Sequence, residues 1–200
     1  MKVLRGEIEF EKQEEGSESK NKFTPQSKVL HESESLGFHR FSNTAEGETV
    51  TVHIYNPPFL QSCFTQEPHK VGHVPPLVYT PIDTSKCFSE KILLADLDVR
   101  DSLLYTNLTT FSAMLDKQLQ DYSVPLESQH VGKFRDWISN LRFNKCEWSK
   151  FLNIDKDKYT RNLVSYGERF TLLILCWNKG QKSPIHSHSG SNCFMKSNNF

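Results

Sequence analysis

Residues Gly180 to Cys193 read GQKSPIHSHSGSNC, and this stretch decides how the rest of the chain is read. His186 and His188 are two positions apart, so on an extended segment both imidazoles project from one face. Two rings placed that way can share a metal ion without bending the backbone. An HxH pair alone is weak evidence, because surface pairs arise by chance. Its company strengthens it: Gly180 lies six residues before His186, and Cys193 five after His188.

Working outward, the totals bound the rest. Two hundred residues suffice for one core, or one small domain with an appendage. Lysine plus arginine and aspartate plus glutamate number 24 each, so no net field recruits nucleic acid or an anionic membrane. The longest apolar run, Leu172 to Trp177, is too short to span a bilayer. The start, MKVLRGEIEFEK, is charged where a secretory signal is apolar. Five cysteines without a CxxC pair give no disulfide framework and no zinc finger, which predicts a reducing, cytoplasmic setting. The sequon at Asn107 carries little weight without a signal peptide.

Period and punctuation then divide the chain. Val3, Ile8 and Phe10 supply a strand, and the polar run over 11–35 reads as an exposed loop. VTVHIY (Val50 to Tyr55) is a half-buried strand that stops at Asn56-Pro57-Pro58. Residues 80–107 read as a connector. Phe111, Leu115 and Leu119 fall four apart, predicting a helix from Leu108 to Tyr122 capped by Thr109 or Thr110. Phe134, Trp137, Ile138 and Leu141 make a second helical stripe; Trp148, Phe151 and Leu152 make a short third. Strands return after Asp155. Cys87, Cys146 and Cys176 read as small apolar residues, and His31, His69, His73 and His130 as exposed.

Gly, five residues, then His-x-His is the opening motif of the cupin superfamily, and the chain resembles that superfamily here. Cupins usually place a metal-binding glutamate where this chain has Cys193, and that substitution resembles the cysteine dioxygenase family. KYTRNLV (Lys158 to Val164), LLILCW (Leu172 to Trp177), LGFHRFSN (Leu36 to Asn43) and HIYNPPF (His53 to Phe59) resemble the same family. The resemblance implies a mainly β, cupin-type jelly-roll barrel with a small helical segment. It implies that His186, His188 and His39 hold Fe(2+) without a carboxylate, leaving open positions for a thiolate and dioxygen. It implies that Arg161, with Tyr159, binds the substrate carboxylate. Tyr55, held by His53 and Thr51, would stand beside the metal, and a thioether crosslink would join Tyr55 to Cys193. Cys63 resembles a cysteine near the pocket entrance, and Trp177 a residue behind the site.

The order of the motifs departs from the family. Residues 1–79 resemble the family's C-terminal half, 80–107 a connector, and 108–200 its N-terminal half, together one cupin domain. Joining the two ends at the shared Met-Lys gives NCFMKVLRGEIEF, one continuous family-like segment, with 197–200 as an unrelated tail. Either a circular permutation or a composite of two neighbouring copies would produce this, and the stray tail favours the composite. The segment from Val29 to Leu36 is also shorter and more polar than in the family, which predicts an exposed sheet edge beside His39.

The expected reaction is addition of dioxygen to the sulfur of L-cysteine, giving cysteine sulfinic acid. A monomer is expected, with exchange of halves between two chains as the alternative. The competing reading is a non-catalytic or unstable product that keeps the motifs without assembling the iron site.

Overall fold

The strand β6 (Thr49–Asn56), TVTVHIYN, is buried at all eight positions, which requires cover on both faces. This corrects the half-buried expectation. Val50, Val52 and Ile54 face a core shared with the helices, while Tyr55 on the alternate face belongs to a second core. The neighbouring β10 (Thr171–Trp177) divides the same way: Leu172, Ile174 and Cys176 face the helices, and Leu173, Leu175 and Trp177 the other core. One sheet therefore lies between a helical layer and a barrel interior.

The structure, a computed structural model, describes residues 2–14, 17–27, 29–32, 37–58, 63–67, 70–73, 108–141, 143, 145–188 and 190–196. The expected connector over 80–107, Cys87, His69, Phe59, Asn107 and the tail 197–200 lie outside the described residues, as do the side chains of Cys63 and His73.

Among the described residues two antiparallel sheets form, each of six strands. The first joins β4 (Leu30–Glu32), β12 (Asn192–Lys196), β6, β10 and β9 (Thr160–Tyr166) in that order, with β1 (Lys2–Arg5) also paired to β6. The second runs β3 (Ser17–Phe23), β2 (Ile8–Glu14), β5 (Phe38–Ser42), β11 (Ile185–Ser187), β7 (Cys63–Glu67) and β8 (Lys70–His73). The mainly β expectation holds, and the paired sheets fit a cupin-type fold.

The two outermost strands of the described chain share one edge of β6. β12 pairs from Asn192 opposite Asn56 to Lys196 opposite Val52, and β1 pairs from Lys2 opposite Val52 to Arg5 opposite Val50. They lie end to end in one direction. Between β1 and β2 the chain turns at Gly6, with φ +81°, where a Cβ would fall 2.3 Å from Thr49 Oγ1. Only glycine fits that close approach.

Much of the polar run over 11–35 is strand rather than loop: residues 11–14, 17–23 and 30–32 lie in β2, β3 and β4. β2 and β3 pair along seven positions, from Ile8 opposite Phe23 to Glu14 opposite Ser17. Its charges are matched: Lys20 reaches Glu11 across the ladder at 3.6 Å and Glu18 on its own strand at 2.9 Å. Polarity disguised a hairpin in which β2 is laddered on both sides and β3, at the sheet's end, is paired with β2.

α1 (Leu108–Gln120) buries Leu108, Phe111, Leu115 and Leu119, as the spacing requires. Thr109 and Thr110 lie inside its first turn rather than capping it. α2 (Ser128–Asn140) buries Phe134 and Ile138, and Phe134 meets Phe194 of β12 edge-on at 4.8 Å. α3 (Lys145–Trp148) and a 3₁₀ turn (Ser149–Phe151) bury Trp148 and Phe151, whereas Leu152 is 38% exposed. Cys176 is buried as expected, but Cys146 is exposed because it lies on the outer side of α3. His31 is half-buried, bonded to Asn192 Oδ1 at 3.0 Å and packed on Phe194, and His130 is half-buried against Tyr122. Neither is the exposed residue its polar context predicts. No helix among the described residues is long and apolar enough to cross a membrane.

Candidate metal centre

β5 and β11 place His39 directly opposite His186. Directly opposed residues of an antiparallel pair share a face, so both rings enter the barrel interior. His188, two residues on from His186, joins them. The ring centroids of His39 lie 4.5 Å from His186 and 4.8 Å from His188, and each histidine offers a ligand nitrogen within 4.8 Å of the others. All three are at least 94% removed from solvent. The edge expected beside His39 is absent: β5 is laddered on one side by β2 and on the other by β11.

Local hydrogen bonds orient two of these rings. His186 Nδ1 lies 2.9 Å from the carbonyl of Pro184, and His39 Nδ1 lies 3.4 Å from that of Gly37. A carbonyl only accepts, so Nδ1 carries the proton and Nε2 keeps its lone pair. Burial holds all three imidazoles neutral. His39 is pushed down to about 4 by burial, and His186 to about 3 by burial and then by the repulsion a protonated His39 would add, with His188 also held well below the usual range by burial. Neutral, convergent, buried imidazoles are a suitable donor set for a divalent transition metal.

Two short-range clamps, unforeseen from sequence, hold the histidine strands. Ser183 donates its backbone N–H to the carbonyl of Phe41 at 2.8 Å, and its Oγ accepts from the N–H of Phe41 at 2.9 Å. The buried Asn43 donates to the carbonyls of Gly47 and Trp177 and accepts from Thr49 Oγ1 and the Ala45 N–H. Every polar atom of that amide is used, which fixes β5 against the turn leading to β11. Asn43 closes the LGFHRFSN phrase already noted for His39, but its satisfaction depends partly on Trp177, distant in sequence.

Behind the histidines runs a chain of contacts. Arg161 donates to the Tyr159 hydroxyl and lies 4.8 Å over its ring. Tyr159 stacks on Trp177 at 4.3 Å, and Trp177 Nε1 donates to Thr51 Oγ1 at 3.0 Å. Thr51 Oγ1 contacts His53 Nε2 at 2.9 Å, and the Tyr55 hydroxyl lies 3.5 Å from His53 Nδ1. Cys193 is directly opposite Tyr55 across the β6–β12 ladder, and its Sγ lies 3.9 Å from His53 Nδ1. The Tyr55 ring meets His188 edge-on at 5.3 Å. Burial and then the neighbouring Cys193 raise the Tyr55 phenol well above its usual range, so it stays protonated. Burial likewise keeps His53 neutral. Arg161 is directly opposite Leu175 on the β9–β10 ladder, and Leu175 belongs to the interior core, so Arg161 sits on the interior face of the sheet.

Residues 110–199 match the family described as "Cysteine dioxygenase type I". The chain resembles the cysteine dioxygenases of the cupin superfamily. It is 41% identical over 71 residues to cysteine dioxygenase type 1 of Danio rerio, covering 35% of each chain. It is 48% identical over 54 residues to that of Rattus norvegicus, covering 26% of this chain and 27% of the other. For the Homo sapiens protein the identity is 49% over 51 residues, covering 25% and 26%. The chain thus matches about a quarter to a third of the length of these curated cysteine dioxygenases. No solved structure matches it. Arg161, His186, His188 and Cys193 fall within the cysteine dioxygenase match, whereas His39, His53 and Tyr55 fall before it. The latter three join the site through strand pairing alone.

Proposed function

We propose that the protein is a thiol dioxygenase that converts L-cysteine and dioxygen to cysteine sulfinic acid at a ferrous centre held by His39, His186 and His188. The observation that carries this reading is the convergence of three buried imidazoles from β5, β11 and the residue just after β11, with Arg161 placed on the interior face opposite Leu175. When bound, ferrous iron supplies the redox capacity that dioxygen needs to react with a thiolate. Three neutral ligands leave the ion's full positive charge to favour an anionic sulfur.

The chain's own side chains then have distinct tasks. Arg161 accepts the substrate carboxylate on its guanidinium fork, and Tyr159 holds that fork by hydrogen bond and ring contact. Stacking of Tyr159 on Trp177 limits where the pair can move. The protonated Tyr55 hydroxyl can donate a hydrogen bond toward the reacting oxygen, and His53 and Thr51 orient it from behind. The apolar interior of Leu173, Leu175, Phe41 and Met195 keeps water from the thiolate. A thioether between Cys193 Sγ and the Tyr55 ring would lock the phenol in place; their direct opposition on β6 and β12 supports it.

What supports reading 2–73 and 108–196 as one cupin domain is the ladder between β6 and β10, seven residue pairs long, together with the β6–β12 ladder. The order of segments is that of a permuted or composite barrel, and the end-to-end seating of β12 and β1 opposite Val52 favours this reading.

Purified protein loaded with ferrous iron and given L-cysteine should consume oxygen and yield cysteine sulfinate by mass spectrometry. Folded protein that takes up no iron, or holds iron and leaves cysteine unchanged, would overturn the proposal.

A further inference from the structure

Along β2, Ile8 and Phe10 point into the barrel interior, and the next residue on that face is Lys12. The register is unambiguous: Phe10 is opposite Phe41, and Lys12 is opposite His39. Directly opposed Cβ atoms lie roughly 5 Å apart and share a face, so the Lys12 stem starts beside a proposed ligand. The Phe10 ring, one step deeper, lies 5.5 Å from the His39 ring. On its other side Lys12 is opposite Ser19, which is exposed, as is Asn21 opposite Phe10. β3 is the outermost strand of this sheet and is exposed from Glu18 to Lys22, so the interior face meets solvent at this margin. Lys12 is half-buried at that margin, while Glu11 turns to the outer face and meets Lys20.

A lysine where the alternation calls for an apolar residue can lay its stem along that face and carry its ammonium out to water. We infer that Lys12 is a specificity-determining residue at the mouth of the site, favouring small thiols that carry a carboxylate over those that carry only an amine. The inference rests on the proposed thiol chemistry of this centre. Arg161 and Lys12 then make two half-buried positive groups on different strands, β9 and β2, on the face that carries the three histidines. A carboxylate thiol entering from this side passes Lys12 before it meets Arg161.

Binding of two probes to the ferrous-loaded full chain, without oxygen, tests this: 3-mercaptopropionate, which has a carboxylate and no amine, and cysteamine, the reverse. Lys12→Met should weaken 3-mercaptopropionate roughly two- to fivefold, the range of a partly exposed ion pair, and leave cysteamine unchanged or tighter. Lys12→Arg should restore the wild-type preference, and added salt should weaken 3-mercaptopropionate in the wild type more than in Lys12→Met. Equal weakening of both probes, or none, overturns the assignment, as does wild-type protein that binds no 3-mercaptopropionate. Oxygen uptake with L-cysteine, measured on the same wild-type sample, reports separately on the proposed reaction.

Discussion

His39 and His186 are directly opposed across the β5–β11 pair, with ring centroids 4.5 Å apart, although 147 positions separate them in sequence. His188 completes the cluster from the same short segment. The histidine cluster is therefore a product of one strand pairing, and it holds together only while β11 sits between β5 and β7.

Removing one ligand tests that dependence. His39→Ala should weaken ferrous iron binding by at least roughly tenfold, more than loss of an outer-shell partner usually costs at its mildest. Iron stoichiometry after dialysis reads this directly, with a urea midpoint of the apoprotein to verify folding. Stoichiometric iron in folded His39→Ala would remove His39 from the ligand set.

Arg161 is proposed to bind a carboxylate bidentately, which lysine does not reproduce. Arg161→Lys should lower kcat/KM for L-cysteine about ten- to a hundredfold, the worth of a charged hydrogen bond of roughly 1.5–3 kcal/mol, mainly through KM. An unchanged KM would assign Arg161 a purely structural part in the contact with Tyr159.

Tyr55 and Cys193 are opposed on adjacent strands, which predicts a covalent link in protein turned over aerobically with iron and cysteine. Forming the thioether removes one hydrogen from the thiol and one from the ring, with dioxygen as the oxidant. Intact-mass spectrometry should show the wild type lighter by two hydrogens and Cys193→Ser unaltered. No difference after many turnovers would rule out the link.

Acid should destabilise the apoprotein through the buried histidines. In the unfolded chain each titrates near 6.5, whereas His39 is held near 4 and His186 near 3 by burial. Between these values the unfolded state binds more protons, so stability is full above about pH 6.5 and falls as pH drops toward 3. For His39 alone the loss by pH 5 is about 2 kcal/mol. The urea midpoint should drop between pH 7 and pH 5, and less steeply in His39→Gln; a flat profile would mean the rings are open to protonation.

Thr51 is the one hydroxyl joining Trp177 Nε1 to His53 Nε2 among the described contacts. Thr51→Val keeps the shape and removes that oxygen. The expected cost is about 1–3 kcal/mol, from a buried donor left unmatched, read as a shift in denaturant midpoint at constant m. A shift near zero would mean the link is worth no more than packing.

The β-rich class, the three helical segments and the His186–His188 pair were legible in the sequence because each sits in a short local pattern, whereas His39, Arg161, Tyr55 and Cys193 were singled out only by resemblance to a family. HxH needs only a strand's two-residue period, and Phe111, Leu115 and Leu119 need only a helical one. The polar hairpin was not legible. Its Glu and Lys residues lower strand propensity, and what holds β2 and β3 is pairing with β5 and matched charge across strands. Nor was the full burial of β6, since its second covered face belongs to helices encoded far downstream.

By itself the sequence determined which side chains can do the chemistry: imidazoles at 39, 186 and 188, a guanidinium at 161, a phenol at 55 and a thiol at 193. Only the tertiary structure decided that they meet. Residue type and local period are properties of a few neighbouring positions, whereas the seating of β11 beside β5, and of β12 and β1 along β6, is set by backbone ladders between distant segments. The same ladders put Lys12 beside His39, a neighbour that no local pattern in the chain reveals.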